Sequence, residues 1–74
     1  MSPDSKTHSK LVYMANQIGK FFQSQGDDDA VAGIADHIKS YWDPRMRAEI
    51  FTHLDQGGEG LAPLVKKALV TIKP

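Results

Sequence analysis

Apolar residues recur at steps of three and four through most of this 74-residue chain, and the period is broken three times by glycine or proline. That spacing gathers side chains on one face of a helix, whereas a strand would need alternation at every second residue. In the first segment, about Ser9 to Gln25, Leu11, Met14, Ala15, Ile18, Phe21 and Phe22 share one arc. Gly26 ends it. Asp27, Asp28 and Asp29 then offer N-cap side chains and negative charge to the unpaired N–H groups of a second helix. That helix runs from about Asp28 to Tyr41, with Val31, Ile34, Ala35, Ile38, Tyr41 and Trp42 on a common arc. Gly33 inside it lowers helix propensity only slightly.

The sequence Trp42-Asp43-Pro44 stops the second helix, because the residue before proline avoids helical backbone, and starts a third with Asp43 at the N-cap and Pro44 at N1. Met46, Ile50, Phe51 and Leu54 form its apolar stripe. Gly57, Gly58 and Gly60 end it in a loop expected to be short and exposed. Pro63 opens a fourth helix, with Leu64, Val65, Ala68, Leu69 and Ile72 inward, Lys66 and Lys67 outward and Lys73 at its C-terminus. No strand-like alternation or internal repeat intervenes. The expected architecture is all-α: a small compact bundle of three to four helices in one domain, residues 9–74, preceded by a flexible, loosely attached arm over residues 1–8.

A domain this small often draws stability from disulfides, metals or a partner, and the chain has no cysteine. A partner chain is the remaining source. Nine Lys and Arg balance nine Asp and Glu, so no net field draws the domain to phosphate backbones or anionic membranes. No apolar run approaches the length of a bilayer span, and Met1 to Ser9 lacks the apolar stretch of a secretory signal. The expected compartment is the cytoplasm.

Three stretches carry a family resemblance: KLVYMANQIGKFF at Lys10 to Phe22, AGIADHIKSYWDPRMR at Ala32 to Arg47, and HLDQGGEGLAPLVKKAL at His53 to Leu69. In order and wording they resemble the delta subunit of NAD-dependent formate dehydrogenase. Ala62 departs from the aspartate expected before Pro63, which puts the capping of the fourth helix in question. The resemblance implies a non-catalytic accessory subunit that binds no cofactor itself. Its expected partner is the catalytic alpha subunit, with other subunits of the complex possible. The complex is expected to carry pterin-bound molybdenum or tungsten, iron-sulfur clusters, FMN and NAD. The same resemblance admits a transient assembly chaperone for the molybdenum-cofactor subunit.

Several residues are candidates for partner binding. Asn16 and Gln17 lie away from Leu11, Ile18 and Phe22, either solvated or bonded to a partner's backbone. Arg45 and Arg47 stand in the first turn of the third helix, where positive charge is mildly disfavoured. Arg47 has two open readings, an internal clamp to a carboxylate such as Asp43 or Asp36, or a partner contact; Arg45 points to partner or solvent. Tyr13, beside Gln17 and Lys20, and Val70, beside Lys66 and Lys67, are expected to be exposed, and would mark a docking surface if joined in one patch. Trp42, Asp43, Pro44, Phe22 and Ile38 are the expected structural anchors.

Other chemistries find little support. His8, His37 and His53 lack metal-ligand spacing, and His37 reads as a hydrogen-bonded helix-packing residue. The glycines at 57–60 have neither the preceding strand nor the following lysine of a phosphate loop. No nucleophile, base and orienter assemble into a catalytic set. A helix-turn-helix reading rests only on the helical architecture and the Arg-Met-Arg sequence at the start of a helix, and zero net charge opposes it.

Overall fold

The computed structural model describes the backbone of residues 3–74 and the side chains of residues 8–74. Four helices, α1 (Pro3–Phe22), α2 (Asp27–Tyr41), α3 (Pro44–Asp55) and α4 (Pro63–Ile72), account for the regular structure, and no strand occurs among the described residues. A single 3₁₀ turn, Gln23–Gln25, follows α1. The helix boundaries fall where glycine and proline interrupt the apolar period. At the N-terminus α1 begins at Pro3, ahead of the periodic pattern. Part of the expected arm, Met1 and Ser2 with the side chains of residues 1–7, lies outside the described residues. His8 already belongs to the bundle: it is half-buried, and its ring meets that of His53 edge-on at 5.5 Å.

Each helix start has its own local cause. Asp43 caps α3 as its position suggests, its Oδ1 accepting the Met46 N–H at 2.9 Å, with Pro44 in the first turn where a missing N–H costs nothing. The start of α2 differs from expectation. Its N-cap is Gly26, at φ 91 and ψ 152, a region essentially reserved for glycine, and no aspartate side chain caps it. Asp27, Asp28 and Asp29 occupy the first turn instead, where their contribution is charge against the helix dipole. Ala62 begins α4 without a side-chain cap.

The core gathers Leu11 and Ala15 of α1, Ile34, Ala35 and Ile38 of α2, Trp42, Ile50 of α3, Leu61, and Val65, Ala68 and Leu69 of α4. Trp42 turns extended at φ −84, donates its N–H to the Ile38 carbonyl and drops its indole into this core at 5% exposure. Core anchoring is thus its role. Lys73 pairs with Asp55, tying the end of α4 to that of α3; exposed pairs of this kind contribute little.

Two expectations of burial fail, and one of exposure holds only in part. Phe21 is 74% and Tyr41 76% exposed. The covered stripe is narrower than the apolar pattern: Phe21 and Phe22 are 100° apart on a helix, and the bundle covers Phe22 only in part. Tyr41 is the last residue of α2, while the neighbouring Trp42 turns inward. Conversely, the loop after α3 is exposed at Gln56, Gly57, Glu59 and Gly60 but folded in at two points. Gly58 is buried and Leu61 joins the core.

Glycine inside the helices permits close approach. A Cβ at Gly33 would stand 2.5 Å from the Phe22 ring, and one at Gly19 would stand 2.8 Å from Cγ2 of the fully buried Val65. Gly33 is therefore the notch that seats Phe22 on α2. Helix propensity favours alanine over glycine by about 1 kcal/mol, whereas overpacking costs about 1–3 kcal/mol. Gly33→Ala is accordingly expected to destabilise the chain in urea unfolding. A stabilised variant would show that the ring has ample room to move.

Candidate docking surface

The exposed aromatics are not scattered. Phe21 meets Phe22 edge-on at 5.0 Å, Phe22 lies 6.5 Å from His37, and His37 lies 4.7 Å from Tyr41 at a 37° tilt. Four rings thus form a continuous ledge across α1 and α2, with exposed rings at both ends and half-buried rings between. The α2 part follows from the i, i+4 row Gly33, His37, Tyr41. On α1, Met14 and Ile18 precede Phe21 and Phe22 on the same flank, partly buried against the core. The sequence reading of His37 as a hydrogen-bonded helix-packing residue misses the ledge, where its contacts are with rings. The missed signal was the pair of adjacent phenylalanines, of which one helix face can bury only one.

The residues proposed from sequence divide among different roles. Asn16 is half-buried, and its amide is used inside the chain: Nδ2 donates to the Gly60 carbonyl at 2.9 Å, and Oδ1 accepts the Ala62 N–H at 2.9 Å. One side chain thus pins the loop before α4 to α1, at the helix start that lacks a cap of its own. Asn16→Ala is expected to cost about 1–3 kcal/mol in chemical unfolding, since the part-buried Ala62 N–H loses its partner. Asn16→Asp keeps the acceptor but sets a carboxylate oxygen against the Gly60 carbonyl, so it should lose stability as well; equal stability of all three chains would refute the clamp.

Arg47 takes the internal option, but on a carbonyl rather than a carboxylate. Its Nη1 donates to the Lys39 carbonyl at 2.8 Å, satisfying one of the free acceptors at the end of α2. Cationic charge there also suits the helix dipole. Arg45 is exposed and makes no ion pair among the described residues. Gln17 is exposed on α1, and Tyr13 is 65% exposed. Val70, 63% exposed, lies with Val31 in an open groove between α2 and α4, edged by Asp28, Lys66 and Lys67. Tyr13 does not border that groove. The His53 ring nitrogen Nε2 bonds to the Glu59 carbonyl at 2.8 Å, a second tie on the same loop.

Among the described residues no three or more His, Cys, Asp or Glu converge as a metal site, and no helix is long and apolar enough to cross a membrane. The fold is that of a small four-helix domain of the all-α class that carries an exposed aromatic ledge across α1 and α2. Residues 10–69, which contain the ledge, the Asn16 clamp and the Arg47 bond, match the family model described as NADH-dependent formate dehydrogenase delta subunit, FdsD. The chain belongs to that family, as the resemblance of its three sequence stretches implied. No curated protein and no solved structure matches it.

Proposed function

We propose that this delta subunit is a non-catalytic accessory chain that docks on the catalytic alpha subunit of a cytoplasmic formate dehydrogenase and stabilises its assembled, cofactor-loaded state. The observation that carries the proposal, beside family membership, is the solvent exposure of Phe21 and Tyr41 in a domain with so small a core. Burying such rings against a partner returns free energy that the isolated chain forgoes. A chain that binds one state of its partner stabilises that state by mass action.

In this proposal the pterin-bound molybdenum or tungsten, iron-sulfur clusters, FMN and NAD site belong to the larger subunits. Cluster ligation commonly uses cysteine thiolates, and this chain has none. The transient-chaperone version differs only in when the chain leaves. Affinity purification of the tagged chain from cells growing on formate, with subunit stoichiometry and formate-dependent NAD reduction measured on the eluate, separates the cases. An active complex with the chain in fixed stoichiometry supports the permanent subunit. Recovery of only an inactive, cofactor-poor catalytic chain supports the chaperone, and recovery of neither refutes both.

A further inference from the structure

The ledge has a charged border on one side. Asp29 continues the row Gly33, His37, Tyr41 one turn toward the start of α2, and Asp36 stands beside that row, three residues beyond Gly33. Both carboxylates are exposed and neither forms an ion pair among the described residues. Helix α2 as a whole carries four aspartates against one lysine, a formal −3 with histidine neutral. Its lysine, Lys39, faces elsewhere, into a groove shared with Arg47, Phe51 and Ile72. On the α1 side Gln17 is the nearest exposed neighbour of Phe21 in helical register, and Lys20 lines a different groove with Asn16 and Pro63. Lys10 falls on the Phe21 flank but about 16 Å away along the helix, at 1.5 Å per residue. The ledge is thus aromatic in the middle, acidic along α2 and neutral along most of α1.

We propose that this ledge seats an amphipathic helix of the catalytic subunit, with its apolar face on Phe21, Phe22, His37 and Tyr41 and lysine or arginine on the flank that meets Asp29 and Asp36. The proposal rests on the accessory-subunit function above and deepens it by giving the docking face and the chemistry of what covers it. A helix fits because the described chain offers no sheet edge for an extended segment, while the α1–α2 surface is a ledge between two packed helices of the kind that receives apolar anchors at i, i+3, i+4 and i+7. A second copy of this chain would bring the same carboxylates and a neutral α1 flank. Meeting ledge to ledge, it does not supply the cations.

The test is co-purification of full-length tagged variants with the formate dehydrogenase complex. Phe21→Ser with Tyr41→Ser removes the exposed rings, Asp29→Lys with Asp36→Lys reverses the border, and Tyr13→Ser with Val70→Ser changes exposed apolar residues elsewhere. All six positions are exposed, and helix content of each purified variant checks folding. The first two variants are expected to lose recovery of the catalytic subunit by more than about tenfold, as removal of central anchors does, with the third unaffected. If wild type recovers the complex and the ring variant does too, the ledge is overturned while the accessory function stands. Full recovery by the charge-reversed variant overturns the cationic flank. A dimer in sizing that the ring variant abolishes assigns the ledge to a second copy and overturns the proposal. Failure of wild type itself to recover the complex overturns the accessory function and the docking face together.

Discussion

Trp42→Ala is expected to remove a large part of the free chain's stability. Removing a buried tryptophan side chain costs about 3–5 kcal/mol. A domain of 74 residues has about 4–11 kcal/mol in total at 0.05–0.15 kcal/mol per residue. The indole is 5% exposed and belongs to a core cluster drawn from all four helices. Far-ultraviolet circular dichroism with a urea titration measures the effect. A shift below about 1 kcal/mol would place the indole outside the structural core and return Trp42 to the interface. Trp42→Phe keeps most of the apolar volume and should recover a substantial part of the loss.

Ile38→Ala is the second large effect, expected at about 2–5 kcal/mol. Ile38 is fully buried on the inner face of α2, and its carbonyl receives the Trp42 N–H that closes the helix. That backbone bond survives the substitution, so the loss reports packing alone. Ile38→Val, which removes one methylene, should cost about 0.5–1.5 kcal/mol. Neighbouring cavities share their relaxation, so Ile38→Ala and Trp42→Ala together should depart from the sum of the single losses. Additive losses would mean that the two side chains sit in independent parts of the core.

The helices were legible because their signals are local. The Asp43-Pro44 start, the Gly26 stop and the inward positions Ile34, Ile38, Ile50, Val65 and Leu69 all follow from neighbours within four residues. The surface was less legible, since helical period alone does not say how wide a stripe the bundle covers. Phe21 and Tyr41 fall at the margin of that stripe, and only the placement of α1 against α2 decides that they stay in solvent. Asn16 was read as solvated or partner-facing because its two hydrogen bonds reach 44 and 46 residues along the chain. No local pattern encodes such a pair. Leu61 was overlooked for a similar reason, as a lone apolar residue among glycines has no period to reveal its burial.

The Asn16 clamp also bears on how the bundle opens. A loop amide ordinarily exchanges its hydrogen through small local fluctuations. The Ala62 N–H is held instead by a side chain rooted in the middle of α1, with Leu61 beside it in the core. To free that hydrogen, the loop must lift away from α1, and lifting it withdraws Leu61 as well. The chain's least regular segment is thereby enrolled in its cooperative unit, so that release of α4 and release of the loop become one event.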